Sequence, residues 1–347
     1  MIKKINLKNV RKFDKLTLDI NSNIVILSGA NASGKTTVLE SICLASITKS
    51  HRTNTLKEVI KENALYSDIE ILYENKKYRI VLSNAGKMVA INGIEQSKLS
   101  EYIGEFPTIF FSPNDLEIIT SSPTIRRQFL NQEISQISQT YLKNLNTYNK
   151  LLQERNILLK ELEIDSDKTL LDILTSQLIE VGKKIIVERE RFINEINEQI
   201  NNIHSQINSN EFIKIVYQPS VNVDKIEEVF EAKKLVDIQS NQTNYGIQRD
   251  EIIFLINDKN VSKFASQGQI RNVILSTKLT LCKIINKYKK KYPILLLDDV
   301  LSELDLNRQN SLLNLLKSFT NIQTFISTVD TSSLNKEILN KYQIINL

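Results

Sequence analysis

The sequence predicts an α/β fold in which a lobe of mixed sheet is interrupted by a helical insertion. Three observations predict it. Ile24-Val25-Ile26-Leu27 is a continuous apolar run that closes on Ser28-Gly29, the pattern of a strand buried on both faces. Glycine and proline are scarce, and the stretch from Thr124 to Gln218 has no proline and only one glycine, Gly182, so it reads as long helices. A strand-like pattern then returns at Ile213-Lys214-Ile215-Val216-Tyr217.

Taken in order, Ile5 and Leu7 alternate with polar residues, as do Leu16, Leu18 and Ile20, which predicts two half-buried strands ahead of the buried one. Ile69 to Ile94 reads as an antiparallel meander broken at Glu74-Asn75, Ala85-Gly86 and Asn92-Gly93. Within the insertion Ile134, Ile137, Tyr141, Leu145, Tyr148 and Leu152 step by threes and fours. Leu171, Leu174, Leu178, Val181 and Ile185 do the same, and Ile193, Ile196, Ile200 and Ile203 continue the stripe. The polar link from Glu163 to Lys168 is a turn between them. Two antiparallel helices of ~40 residues each would make an arm of roughly 60 Å, with packing into a bundle as the plain alternative. After it, Ile213–Tyr217 is expected to resume the sheet, followed by a helix from about Ile270 to Lys287 and a buried strand Ile294-Leu295-Leu296-Leu297. The expected division is a split lobe of residues 1–111 and 210–347 with a helical lobe of 112–209 inserted.

The chain has 347 residues, 41% hydrophobic and 24% charged, enough for two domains with real cores. Cys43 and Cys282 lie far apart and form no CxxC, which argues against a zinc site or a disulfide framework. The charged start, Met1 to Lys8, does not suit a secretory core, and no apolar run approaches the ~18 residues of a membrane span. A cytoplasmic protein with no membrane partner is expected. The net charge of +5 is unevenly spread. Lys3, Lys4, Lys8, Arg11, Lys12 and Lys15 crowd the start, and Lys283, Lys287, Lys289, Lys290 and Lys291 gather late; such clusters suit a polyanion, and solvated faces look the same.

Gly29-Ala30-Asn31-Ala32-Ser33-Gly34-Lys35-Thr36 matches GxxxxGK[ST] at every required position, between a buried strand and a helix starting near Thr37. A loop that wraps phosphates turns its N–H groups inward, which favours glycine, and the helix N-terminus adds positive potential. Lys35 is expected on the β- and γ-phosphates of ATP and Thr36 on Mg²⁺. The strand Ile294–Leu297 delivers Asp298 and Asp299 at its C-terminal end. Asp298 is expected to complete the Mg²⁺ shell, and Asp299 to position the attacking water.

Ser266-Gln267-Gly268-Gln269, ahead of a helix and before Asp298, is similar to the S-x-G-Q signature of ABC-type ATPases. Leu301-Ser302-Glu303-Leu304-Asp305 resembles their D-loop. That resemblance implies an ABC-type P-loop ATPase head, in which the signature of one subunit caps the γ-phosphate held by the other. The Ser266 motif also reads as a helix N-cap. Within the class the chain resembles the RecF family over essentially its whole length. The carriers are Asn9-Val10-Arg11-Lys12-Phe13, the P-loop, Ser50-His51-Arg52-Thr53, Phe111-Ser112-Pro113-Asn114-Asp115-Leu116 and Pro123 through Leu130. Gly246-Ile247-Gln248-Arg249-Asp250, the signature and the Asp298-Asp299 segment complete the set. Departures are Gln248 where the family usually has His, Ile270 where it has a second Gln, and Phe13 where it has Tyr.

The resemblance implies a helical second lobe, an ATP-dependent homodimer, weak DNA-stimulated ATP hydrolysis and binding of double-stranded DNA at gaps. It further implies cooperation with RecR, and functionally with RecO, in loading RecA. Thr328 stands where transporters carry a switch histidine. An SMC or zinc-hook ATPase would need a longer arm and a CxxC apex. A transporter subunit would not carry this arm, and an OLD-type nuclease would need a further domain beyond the 48 residues after Asp299. A structural DNA clamp with little hydrolysis stays open, because Asp299 is one methylene shorter than the glutamate common in the class. His51 and Arg52 are candidate phosphate or DNA contacts, with a solvated loop as the plain alternative.

Overall fold

The computed structural model describes residues 1–53, 55–163, 166–300, 316, 319, 321–329 and 342–347. In chain order its first half runs β1 Ile2–Val10, β2 Phe13–Asp19, β3 Ile24–Ser28, α1 Lys35–Ile47, β4 Tyr66–Tyr73, β5 Lys76–Ser83, β6 Gly86–Ile91, β7 Ile94–Glu95, α2 Leu99–Tyr102 and β8 Thr108–Phe111. Next come α3 Glu117–Thr120, α4 Pro123–Ile137, α5 Gln139–Glu161, α6 Thr169–His204, β9 Ile213–Gln218, α7 Ile226–Ala232, α8 Lys234–Ser240, β10 Glu251–Ile256, β11 Lys259–Asn260, α9 Val261–Phe264 and α10 Gln267–Lys289. Strands β12 Ile294–Leu297, β13 Gln323–Thr328 and β14 Gln343–Asn346 close the described part.

The chain divides into two units, one of Met1–Asp115, Ser205–Ser209 and Ile274–Leu347, the other of Leu116–His204 and Asn210–Val273. The first unit divides its mixed strands between two sheets. One is six-stranded and antiparallel in order β2-β1-β4-β5-β6-β7, and its meander turns where expected. Asn92 (φ 51) and Gly93 (φ 83) both take the left-handed conformation that a two-residue hairpin turn of this twist requires. The other sheet is parallel in order β14-β3-β13-β12-β8, and β3 and β12 are buried at every position. Between them lies a core of Ile5, Leu7, Val25, Leu27, Val38, Leu39, Ile42, Ile69, Ile71, Ile80 and Phe325.

In the second unit, α5 and α6 form the arm, but its first limb is broken. Ser138 (φ −124, ψ 103) ends α4 through its N–H on Ile134 O at 2.9 Å. Its hydroxyl accepts the Tyr141 N–H at 3.0 Å to start α5. The second limb runs unbroken for 36 residues. Gly182 has a packing reason: a Cβ there would stand 3.2 Å from the Tyr148 ring edge, so the glycine lets α5 approach α6. Two wholly buried arginines tie the unit together. Arg155 reaches Asp237 at 2.9 Å and Thr243 at 2.6 Å, and Arg189 reaches Asp250 at 2.6 Å.

Two expectations are corrected. Ile213–Tyr217 does not resume the nucleotide lobe's sheet; as β9 it pairs antiparallel with β10 in a separate three-stranded sheet. Residues 210–273 accordingly belong with the arm rather than with the lobe of residues 1–111. The physical reason is that β9 is stitched to α6. The Asn201 amide brackets Ile213 and the Asn197 amide brackets Ile215, each side chain bonding both N–H and C=O of its residue.

Candidate nucleotide site

Strand β3 ends at Ser28, the loop 29–34 turns, and α1 begins at Lys35. Gly29 (φ 154) and Gly34 (φ 107) hold conformations that favour glycine. At Gly34 a Cβ would also collide with the ring of Phe13, which lies directly on the loop. Ala32 (φ 62) takes the left-handed conformation without that freedom, and its carbonyl accepts from the Lys12 amine at 2.9 Å.

Lys35 is buried and folds back on the loop, donating to Gly29 O at 2.6 Å and Ala30 O at 2.8 Å. The Ser33 hydroxyl is buried with no hydrogen-bond partner among the described residues. The first N–H groups of α1 have no intrahelical acceptor by construction. A ligand with several anionic oxygens suits this donor set. It would take over the Lys35 amine, the orphaned hydroxyl and the helix N-terminus together.

Strand β12 lies between β8 and β13 and carries Asp298 to the end of the sheet beside the loop. Asp298 Oδ1 accepts from Thr36 Oγ1 at 3.0 Å and from Ser327 Oγ at 2.7 Å. Burial pushes the Asp298 carboxyl above its usual range, and the neighbouring Asp299 adds to the push. The bonds from Ser327 and Thr36, and the charge of Arg52, pull the other way. A divalent cation at this carboxylate and Thr36 would relieve that strain. No cluster of three or more His, Cys, Asp or Glu that could hold a metal ion stands among the described residues.

Asp299 sits at φ 52 with its N–H on Ser327 Oγ at 2.8 Å. Ser327 thus aligns both acidic residues, and sequence reasoning missed it. The available signal was its place one residue before Thr328. Thr328 itself is buried at the end of β13, paired in register with Ser28.

Behind the loop, Glu40 of α1 is fully buried. Arg11 grips it with Nε at 3.1 Å and Nη2 at 2.8 Å, and Ser50 donates at 2.5 Å. Burial alone would raise this carboxyl, but the bonds from Arg11 and Ser50 outweigh it and hold the group below its ordinary range. Arg52 lies 3.6 Å from the same carboxylate and is partly exposed. His51 stacks on Phe110 with ring centroids 3.6 Å apart, and burial pushes its imidazole down to about 4. The stack on Phe110 and the burial of both ring nitrogens leave His51 less open to a phosphate or DNA contact than Arg52, whose side chain is partly exposed.

In the other unit, Ser266 and Gln269 form a reciprocal cap on α10. Gln269 Oε1 accepts the Ser266 N–H at 2.9 Å, and Ser266 Oγ accepts the Gln269 N–H at 3.3 Å. Gln269 Nε2 donates to Glu211 at 2.9 Å. Ser266 and Gln267 are exposed and the space at Gly268 is open, so the helix N-terminus stays accessible. The expected D-loop, Leu301 to Asp305, lies outside the described residues. No described helix is long and apolar enough to cross a membrane.

Comparisons with known proteins place the chain in a family. A family model described as an AAA domain matches residues 4–211. The DNA replication and repair protein RecF of Bacillus cytotoxicus is 40% identical, over 100% of this chain and 96% of the relative. RecF of Halalkalibacterium halodurans is 39% identical, over 99% and 96%. The fold matches a solved structure of the recombination mediator protein RecF-ATPrS in the RecFOR pathway, with TM-score 0.89, 30% identity and coverage of 100% and 96%. It also matches the SmcHead bound to the C-winged helix domain of ScpA, at TM-score 0.54, 15% identity and coverage of 99% and 93%, a likeness of fold alone. The chain is a member of the RecF family of DNA replication and repair proteins, built on an ABC-type ATPase head.

Proposed function

We propose that this chain is an ATP-dependent, DNA-binding recombination mediator: it binds ATP with Mg²⁺, dimerises on it, hydrolyses it weakly and grips double-stranded DNA at gaps. With RecR, and functionally with RecO, it would help load RecA on single-stranded DNA. The observation that carries the reading is the Thr36–Asp298 hydrogen bond of 3.0 Å, which joins the P-loop helix to the acidic strand end where a nucleotide-bound cation belongs. The likeness to a solved structure of RecF with ATP supports it.

In this reading the N–H groups of residues 29–34 cradle the phosphates, and Lys35 leaves the Gly29 and Ala30 carbonyls for the β- and γ-oxygens. Thr37 continues the helix start behind them. Thr36 and Asp298 hold the cation, which supplies charge neutralisation on the phosphates. Asp299, aligned by Ser327, positions the attacking water, and its short side chain suits slow turnover. Arg52, whose charge acts on Asp298, adds a cation near the metal end of the site. Ser266, Gln267, Gly268 and Gln269 present a hydroxyl and an accessible helix N-terminus to the nucleotide of a second copy.

Solution mass measured with and without ATP and a gapped duplex tests this reading. The unsubstituted chain is expected to double in mass with ATP and to bind DNA only then. Lys35→Ala, which removes the loop's own cation, is expected to lose ATP binding and both effects. Normal ATP affinity in Lys35→Ala, by calorimetry, would sink the assignment.

A further inference from the structure

The β1–β2 hairpin breaks a rule of sheet pairing on its outer face. Lys8 and Lys15 are register partners directly opposite one another, and both are exposed. Like charges so placed disfavour the pairing, where an opposite pair would support it. Neighbouring cations on the same face are neutralised: Lys4 by Asp19 at 3.2 Å, and Arg79 by both oxygens of Asp68 at 2.9 and 2.7 Å. That second pair occupies the carboxylate facing Lys8 from β4. Lys8 is left with the Tyr66 hydroxyl at 2.8 Å, and Lys15 has no hydrogen bond or ion pair among the described residues. The Tyr66 ring, 5.2 Å from the Lys8 amine, and the nearby Asp68 charge hold Lys8 in the fold, so the unbalanced member of the rung is Lys15, an exposed cation open to an anion from outside.

We infer that the outer face of this hairpin, centred on Lys8 and Lys15, seats the sugar-phosphate backbone of a DNA duplex. The inference rests on the reading that the chain binds DNA and assigns the surface that does so. The charge complementarity is direct: neither amine is in an ion pair among the described residues, and a polyanion supplies anionic partners to both. The shape suits as well. Lys8 and Lys15 line a shallow groove of about 480 Å³ with Lys4 and Arg79, and these four cations outnumber its two carboxylates, Asp68 and Glu70. Lysine amines on flexible stems reach adjacent phosphates as point charges and read no bases. The hairpin's turn is the one that lies on the nucleotide loop, through Lys12 on Ala32 and Phe13 on Gly34. A backbone seated here therefore stands one β-turn from the P-loop.

The test is a titration of a short DNA duplex in the presence of ATP, at salt concentrations from about 50 to 200 mM, with the unsubstituted chain and with Lys8→Gln/Lys15→Gln. Loss of two phosphate contacts is expected to flatten the slope of log affinity against log salt by about 1.8 and to weaken binding on the order of tenfold. ATP affinity of the double variant, by calorimetry, is expected to stay unchanged. Lys15→Thr alone is expected to keep or raise the thermal midpoint, since it relieves the like-charge rung. Slope and affinity identical to the unsubstituted chain overturn this site while leaving the wider reading standing. A lowered midpoint in Lys15→Thr assigns the lysine to the fold and overturns the site as well. Failure of the unsubstituted chain to bind duplex DNA with ATP overturns the proposed function, and this surface with it.

Discussion

At the scale of single residues, His51 makes the most direct measurable statement. Both ring nitrogens are buried without hydrogen-bond partners among the described residues. Its folded value of about 4 lies below the ordinary 6.5. Between those values the unfolded chain binds more protons than the folded one, so stability rises with pH through that window and levels off above it. His51→Phe keeps the stack on Phe110 and is expected to remove this dependence. Unfolding free energies from denaturant titrations should fall between pH 6.5 and 4 for the unsubstituted chain, by roughly 2–3 kcal/mol at the acid end. For the variant they should fall less, and an unchanged acid slope would count against the neutral ring. Glu40 works in the same direction at lower pH: its bonds to Arg11 and Ser50 count fully above the ordinary carboxylate value and are lost as pH falls through its lowered one. That Lys35 and Thr36 share one site with Asp298 was legible in the sequence, because the spacing of the loop and of the acidic strand end set them there, and the 3.0 Å Thr36–Asp298 bond joins them. Ser327 and Glu40 were not, since a serine on a buried strand or a glutamate on a helix takes its meaning only from what the fold brings to it.

Among the elements, the break between α4 and α5 is the feature that periodicity could not reveal. The apolar stripe from Ile134 to Tyr148 passes over Ser138 without a missed step, and no glycine or proline marks the interruption. The stop is made by a serine that closes one helix with its N–H and caps the next with its hydroxyl. Ser138→Ala is expected to cost about 1 kcal/mol, seen as a lowered thermal midpoint with ATP affinity unchanged. An unchanged midpoint would show that the cap adds nothing to the break. The buried strands β3 and β12 and helix α10 were legible from apolar runs and caps alone. Strand β9 was recognised as a strand but placed in the wrong sheet, because alternation identifies a strand and not its partner. The partner was decided by the asparagines of α6, which are polar helix-surface residues until the sheet arrives against them. Gln248, the departure from the family's usual histidine, keeps a structural job. Its carbonyl accepts the Tyr148 hydroxyl at 2.6 Å and its amide donates to Tyr245 O at 2.7 Å.

For the whole molecule, the decisive question is whether Ser266 serves its own chain's nucleotide or another copy's. Ser266→Arg puts a bulky cation at an accessible helix end without touching the P-loop. It is expected to leave ATP binding by the monomer nearly intact while abolishing dimerisation, hydrolysis and ATP-dependent DNA binding together. Mixed with Lys35→Ala, it should form heterodimers with one composite site spoiled twice and one whole, so partial hydrolysis returns. A mixture that stays inactive, or a Ser266→Arg monomer that cannot bind ATP, rules out the arrangement in trans. The order of the parallel sheet has a further consequence, which concerns how the protein is made. The strand that leads into the P-loop has β13 and β14 as its only sheet neighbours among the described residues, from residues 323–328 and 343–346. The Gln323 side chain also clasps the N–H and C=O of Ile2, at 2.6 and 3.0 Å. At about 5–20 residues per second, translation keeps β3 waiting on the order of tens of seconds for those partners. Until then β3 lacks its strand partners, although α1 can already pack on β1, β4 and β5, and the contacts of longest sequence separation are still to form. The P-loop is the first part of the nucleotide site to be synthesised and the last to be completed.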